Sequence, residues 1–171
     1  YRVQKGQTVL FHAAAGGVGL IAGQWLKALG VRAIGTAGGP TKVKLAKAHG
    51  FSDVIDYKKG DFVREVARLT KNEGVPVVYD SVGKDTYISS LKVLKKFGMF
   101  ISFGQSSGLP SEFKLSDLQT NGSLFAQRPS LGNYIETRQE LEEVSGNLFQ
   151  MIQSGKIKIV NIFFIDYLLY P

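Results

Sequence analysis

The chain has 171 residues and 44% of them are hydrophobic, so it is long enough to bury one substantial core. It has no cysteine and only two histidines, His12 and His49, which excludes a disulfide framework and thiolate metal sites and leaves little from which to build a zinc centre. No apolar run reaches the roughly 20 residues of a membrane-spanning helix and residues 1–7 carry no secretory leader, so we expect a soluble, cytoplasmic protein.

The net charge of +7 is unevenly distributed along the chain. Seven basic residues precede the first carboxylate, Asp53, and from there the remaining 14 basic residues match the 14 acidic ones. This excess of positive charge in the first third suggests an anionic ligand, although a solvated basic face would show the same pattern.

The first third alternates short β-branched runs with longer amphipathic ones. Residues 8–12 predict a strand, and Val18, Ala22, Trp25 and Leu29 fall on one face of a following helix that Gly30 ends. The next predicted elements are a strand at 32–36, a helix from 40 or 41 to 49, and a short strand at 53–56.

The same alternation continues through the middle of the chain. Asp61 can cap a helix that runs to about Thr70, with Phe62, Val66 and Leu69 directed inward. The next predicted elements are a strand at 75–79, a helix at about 84–94, a strand at 98–103, a surface loop at 104–116 and a strand at 123–127.

A long helix follows, with an apolar stripe of Leu141, Val144, Leu148 and Met151 and its end at Gly155; residues 156–164 form a strand-like run. Alternating strands and helices predict an α/β fold, a single Rossmann-type domain with a doubly wound parallel sheet. Because few residues precede the first strand and none follow for a closing helix, we expect a fragment that lacks an N-terminal substrate lobe and a C-terminal segment.

A glycine-rich turn joins the first predicted strand to the first predicted helix. The segment 11–19 reads FHAAAGGVG, and it places Ala14, Gly16 and Gly19 at the three small positions of a dinucleotide fingerprint. Glycines let the backbone approach a pyrophosphate, which then meets the positive end of the helix. The turn therefore favours a dinucleotide, although a strand–helix turn without a ligand would look similar.

The end of the second strand indicates which dinucleotide is preferred. Domains that bind NAD usually place Asp or Glu here to hold the ribose 2′-hydroxyl, but this chain has Thr36, Ala37 and Gly38. Lys42, just beyond, suits a 2′-phosphate. The pattern predicts a preference for NADPH over NADH.

Four motifs resemble those of the zinc-independent quinone oxidoreductases (the ζ-crystallin-like branch) of the medium-chain dehydrogenase/reductase superfamily. They are HAAAGGVG at 12–19, YDSVG at 79–83, SFG at 102–104 and RPSL at 128–131. The resemblance implies hydride transfer from NADPH to a quinone or an α,β-unsaturated carbonyl compound. It implies that Lys42 and Tyr57 flank the adenosine 2′-phosphate, and that Ser81 and Val82 lie under the cofactor.

By the same resemblance, the turn at 103–105 borders the nicotinamide. The candidate cofactor-binding residues are Ala15, Gly16, Gly17, Val18, Gly19, Gly38, Lys42, Tyr57, Ser81, Val82, Phe103, Gly104 and Gln105. We assign no catalytic residue, since a lone histidine on a strand such as His12 is more often structural. Relatives pair the edge strand near residues 122–128 across a twofold axis, which implies a homodimer through Leu124 and Phe125.

Other functions compete with this interpretation. An enoyl reductase of the same superfamily shares the NADPH site and differs in its substrate. A zinc alcohol dehydrogenase shares the fold but usually needs cysteine ligands, and a methyltransferase needs an acidic residue after the second strand. RNA binding by the basic first third and a purely structural, crystallin-like role are alternatives from different classes.

Overall fold

The computed structural model describes residues 1–159, and within them six strands form one parallel sheet. The strands run in the order β3-β2-β1-β4-β5-β6, and every neighbouring pair is parallel. Their bounds are Thr8–Phe11 (β1), Arg32–Ala37 (β2), Asp53–Asp56 (β3), Val75–Asp80 (β4), Leu94–Ser102 (β5) and Phe125–Gln127 (β6). This is the strand order of a Rossmann fold, so the predicted fold class is confirmed.

Within residues 1–159, six α-helices and a 3-10 turn at Leu131–Tyr134 accompany the sheet: α1 (Gly17–Ala28), α2 (Pro40–Ala48), α3 (Phe62–Leu69), α4 (Tyr87–Lys92), α5 (Leu115–Thr120) and α6 (Arg138–Gln153). The core has two parts because successive residues of a strand point to opposite faces of the sheet. Val9 and Phe11 pack in one cluster, while Leu10 packs in the other. Both faces are buried, which explains why the strands read as continuous apolar runs.

The apolar face predicted for α1 is not the face that is buried, although Ala22 on it packs against the core. Val18 is 62% exposed and Leu29 is 45% exposed, whereas the buried side of the helix carries Gly19, Leu20, Gly23 and Leu26. A Cβ on Gly19 would lie 2.5 Å from the carbonyl oxygen of Ala13. The helix therefore packs by its glycines, which periodicity weighted by large apolar side chains does not detect.

The stretch between β4 and β5 also differs from the prediction. The expected helix at 84–94 is shorter, because residues 81–86 form a turn and Leu94 already belongs to β5. The carboxylate of Asp80 accepts hydrogen bonds from this turn, and such side-chain to backbone bonds compete with helix formation. The expected loop at 104–116 overlaps α5, which the sequence prediction missed.

The predicted apolar stripe of α6 is not buried. Leu141 and Val144 are exposed, and no residue of this helix is buried. The helix still begins as a stable element, because the Thr137 hydroxyl accepts from the amide of Glu140 while the Glu140 carboxylate accepts from the amide of Thr137.

The described part of the chain ends in an irregular segment after α6. Ile157 is buried, and the side-chain amide of Gln24 bonds both backbone groups of Lys158. Residues 156–159 are not assigned to a strand, and the rest of the predicted run at 156–164 lies outside the described residues. No helix in residues 1–159 is long and apolar enough to span a membrane.

Candidate functional site

A cleft of about 570 Å³ opens where the carboxyl ends of β1, β2 and β4 meet. In an open parallel sheet, ligands bind at this edge, where the strand order reverses between β1 and β4. The lining residues are His12, Ala13, Ala15, Gly16, Gly17, Leu20, Thr36, Ala37, Gly38, Lys42, Tyr57, Phe62, Val82, Asp85, Thr86 and Ser106.

The glycine-rich turn forms the floor of the cleft. Ala13 adopts a left-handed conformation with φ of 53°, and the Gly16 amide donates back to the Ala13 carbonyl. Gly16 is the N-cap of α1 and has no side chain to cap the first amides of the helix. The positive end of α1 is therefore left for an anion.

A second wall follows β2. The Tyr57 hydroxyl lies 2.6 Å from the position that a Cβ on Gly38 would occupy, so only glycine lets the tyrosine pack this closely. Beneath this wall, the Asp56 carboxylate accepts from the Gly39 amide, and that bond is the main reason that the pKa of Asp56 is lowered. Lys42 lies in the first turn of α2 and lines the cleft.

A buried polar network underlies the cleft. His12 Nδ1 lies 2.9 Å from Thr36 Oγ1, and His12 Nε2 lies 2.9 Å from Ser90 Oγ. Ser90 donates to Asp80 Oδ2 at 2.9 Å, and all four residues are at most 2% exposed. Burial lowers the pKa of His12, and the nearby Asp80 carboxylate opposes this only in part. His12 is therefore neutral at neutral pH.

The segment after β5 lies against the turn after β4. The amides of Ser106 and Ser107 donate to the carbonyls of Ser81 and Val82. A Cβ on Gly104 would lie 2.8 Å from the side chain of Ser81, so this approach requires glycine. The turn at 81–86 and the segment at 103–107 therefore form one continuous surface at the rim of the cleft, which we call the ledge.

The cleft contains part of the candidate set from the sequence. Seven of the candidates line it: Ala15, Gly16, Gly17, Gly38, Lys42, Tyr57 and Val82. Gly19 is instead buried in the contact between α1 and the turn, and Val18 is exposed beside it. Ser81, Phe103, Gly104 and Gln105 belong to the ledge and do not line the cleft.

Nine lining residues were not among the candidates from the sequence, namely His12, Ala13, Leu20, Thr36, Ala37, Phe62, Asp85, Thr86 and Ser106. Thr36 could have been found, because it is the last residue of the predicted second strand and that end of a parallel strand faces ligands. Thr86 and Ser106 carried no such signal, since their position depends on the turns after β4 and β5.

Comparison with known proteins identifies a matching family model and several similar sequences. A family model described as zinc-binding dehydrogenase matches residues 17–149. The chain is 47% identical over 159 residues to a quinone oxidoreductase of Pseudomonas aeruginosa and 50% identical over 159 residues to one of Salmonella typhimurium, covering 93% of this chain in each case. It spans about half the length of these relatives, 49% of each.

Solved structures share the fold. The chain superposes on the Escherichia coli quinone oxidoreductase complexed with NADPH with a TM-score of 0.92 and 48% identity. The match covers 94% of this chain and 49% of that one.

Proposed function

This chain belongs to the zinc-binding dehydrogenase family, and on that premise we propose that it is the NADPH-binding domain of a quinone oxidoreductase. The main support for this proposal is the cleft. It is lined both by Gly16, at the uncapped N-terminus of α1, and by Lys42. A pyrophosphate suits the first and an adenosine 2′-phosphate suits the second. NADPH supplies a hydride, and the protein orients the acceptor and excludes water.

The residues of the cleft fit this ligand in size and charge. The glycine turn accommodates a close backbone approach, because Gly16 and Gly17 line the cleft without side chains. The strand that would hold a ribose 2′-hydroxyl with a carboxylate in an NAD enzyme ends here in Thr36 and Ala37. The second feature favours NADPH over NADH, whereas the glycine turn suits the pyrophosphate of either dinucleotide.

We propose that the chemistry uses no zinc bound by this chain. The sequence has no cysteine, and both ring nitrogens of His12 are engaged within the protein. We further propose a cytoplasmic homodimer that pairs through residues 122–128. Metal analysis of the purified chain tests the first of these statements, and zinc bound in a one-to-one ratio would contradict it.

The direct test is a titration of the 171-residue chain with NADPH, followed by intrinsic or cofactor fluorescence, with NADH as the comparison. We expect NADPH to bind more tightly, and absence of NADPH binding would reject the proposed function. Quinone added to the NADPH complex should give no appreciable turnover, because the chain spans half of its relatives and substrate positioning is proposed to need the other half. In the full-length protein, comparing a quinone with an enoyl thioester separates quinone reduction from enoyl reduction.

A further inference from the structure

A continuous path of hydrogen bonds crosses the sheet beneath the cleft. It begins at Thr36 at the end of β2, passes through His12 after β1 and Ser90 in α4, and reaches Asp80 at the end of β4. Residues from four separate elements meet in it, although His12 and Ser90 are 78 positions apart. Within residues 1–159, no buried side-chain nitrogen or oxygen lacks a partner, so this network is fully satisfied.

The donors and acceptors fix the direction of each bond. Asp80 accepts from Ser90, from Thr86 and from two amides, which is the bonding pattern of an ionised carboxylate. The hydroxyl of Ser90 has one proton, and it donates this proton to Asp80. The Ser90 oxygen must therefore accept a hydrogen bond from Nε2–H of His12. The other ring nitrogen, Nδ1, then accepts from the hydroxyl of Thr36. His12 is therefore a neutral imidazole with its proton on Nε2.

A serine, a histidine and an aspartate in contact suggest a nucleophilic triad, but this arrangement is not one. In a triad the carboxylate bonds the histidine and the histidine takes the proton of the serine. Here the carboxylate bonds Ser90 directly, and its nearest oxygen is 3.9 Å from His12 Nε2. Ser90 is also fully buried, so its oxygen cannot meet a substrate.

The hydrogen-bond path ends at Asp80, whose carboxylate binds the turn at 81–86 beside the cleft. Asp80 Oδ1 accepts from the amides of Val82 and Gly83 at 2.8 and 3.0 Å, and from Thr86 Oγ1 at 3.0 Å. Val82 and Thr86 line the cleft, as do His12 and Thr36 at the near end. Ser90 does not line the cleft, so any effect of Ser90 on a bound ligand must pass through His12 or Asp80.

We propose that Ser90 is a positioning residue, which locks His12 and Asp80 together and so holds the turn at 81–86 in the shape that the cleft needs for its ligand. The inference rests on the proposed function in taking NADPH as that ligand. A buried carboxylate with four donors is a rigid anchor, and removing one donor leaves both Asp80 Oδ2 and His12 Nε2 without their partner.

The test compares Ser90→Ala with a matched control, Thr70→Val, in the 171-residue chain. Thr70 donates to the Val66 carbonyl and accepts from the Gly74 amide. These bonds precede β4, which begins at Val75, so they lie at the amino-terminal end of that strand, whereas the cleft lies at the carboxyl end. We expect Ser90→Ala to raise the Kd for NADPH about tenfold, and Thr70→Val to leave it within about twofold of the parent. Binding is measured at a temperature where circular dichroism shows each variant folded. A loss of stability alone does not produce this difference.

Nuclear magnetic resonance gives a readout that needs no ligand. In the parent chain, nitrogen shifts should show the His12 proton on Nε2, and a proton on Nδ1 would overturn the inference. The amides of Val82 and Gly83 should exchange with solvent faster in Ser90→Ala than in the parent. Ser90→Cys, with its weaker donor, should give intermediate exchange and serves as the test if the alanine variant does not fold.

The two proposals fail in distinguishable ways. If the parent binds NADPH and Ser90→Ala binds it equally well, the positioning role is wrong and the proposed function stands. If the parent binds no NADPH, the proposed function is wrong; faster exchange of Val82 and Gly83 would then still support the role of Ser90, and unchanged exchange would overturn it.

Discussion

The guanidinium of Arg128 donates a hydrogen bond of 2.6 Å to the side-chain oxygen of Gln105. The same guanidinium donates to the hydroxyl of Ser102 and to the carbonyl of Gly104. Arg128 directly follows β6, so the edge strand holds the ledge that follows β5. One planar, five-donor group is well suited to reach three acceptors at once.

We predict that Arg128→Ala weakens NADPH binding about three- to tenfold, because the turn at 103–105 loses its bonds at Gly104 and Gln105 and the end of β5 loses a third at Ser102. Adenosine 2′,5′-bisphosphate carries no nicotinamide, so its affinity should not change. Calorimetric titration of both ligands makes the comparison. An equal loss for both would show that Arg128 acts on the whole fold and not on the ledge.

Gly16 and Gly19 should respond differently to alanine. A Cβ on Gly19 would lie 2.5 Å from one backbone oxygen and 2.6 Å from another, neither of which can move without displacing α1. Gly19→Ala should therefore lower the free energy of unfolding by about 2 kcal/mol or more. Gly16 has an ordinary φ of −77° and a nearest contact of 3.2 Å, so Gly16→Ala should cost less than about 1 kcal/mol.

The two glycine variants separate packing from binding. We expect Gly16→Ala to fold normally in urea unfolding and yet to bind NADPH more weakly, because the added methyl stands where the pyrophosphate approaches the backbone. Normal cofactor affinity in Gly16→Ala would contradict the placement of the pyrophosphate at this turn.

These contrasts show which parts of the molecule were predictable from sequence. Apart from α5, the order of strands and helices followed from periodicity, because buried parallel strands and amphipathic helices differ in pattern. The packing face of α1 did not follow, since Gly19 and Gly23 carry no apolar side chain and act through close approach. The partners of His12 could not be predicted either, because Thr36 and Ser90 reach it only through the folded sheet.

The exposed face of α6 illustrates a different limit. Its periodic apolar residues correctly predicted a helix, but Leu141 and Val144 remain exposed in residues 1–159. Periodicity identifies a face that can be buried and does not identify what covers it. The shortened α4 has yet another cause, since one buried carboxylate, Asp80, holds residues that propensity would place in the helix.

Folding stability should depend on the charge of His12. Its pKa is lowered by burial in the folded chain, whereas in the unfolded chain it has the ordinary value of about 6.5. Below that value the unfolded chain binds a proton that the folded chain does not, so the free energy of unfolding falls as the pH is lowered. The slope from this one group is at most about 1.4 kcal/mol per pH unit, and it vanishes above about pH 7.

Urea unfolding between pH 5.5 and 7.5 measures this slope. His49→Gln removes the second histidine and serves as the control, and the decline towards pH 5.5 should persist in it. A stability that is flat over this range in His49→Gln would mean that His12 titrates alike in both states, contrary to its burial at 1% exposure.

Lys42 should account for most of the preference for NADPH. We predict that Lys42→Ala weakens NADPH binding at least tenfold and leaves NADH binding nearly unchanged, because only NADPH carries the 2′-phosphate. Lys44→Ala is the matched control, since Lys44 is an exposed lysine of the same helix that does not line the cleft. If Lys44→Ala has the same effect, the general positive charge of α2 sets the preference and a specific contact does not.

The last prediction concerns the edge of the sheet at β6. Leu124 is buried in the core, so our expectation that it lies at a dimer interface is wrong. Its neighbour Phe125 is 56% exposed. An edge strand with an exposed aromatic residue is prone to pair with a second copy. Such pairing across a twofold axis would bring each Phe125 close to the partner strand.

We predict that Phe125→Glu converts a dimer into a folded monomer, because a carboxylate placed there would lose water on pairing and gain no partner. Sedimentation at tens of micromolar, with circular dichroism to verify folding, measures the change. Phe149→Glu is the matched control: Phe149 is 57% exposed but lies on α6 and not on the edge strand, so this variant should stay dimeric. A monomeric parent chain, or a dimeric Phe125→Glu, would reject pairing through β6, since either result requires that the edge strand stay in water or that another surface form the contact.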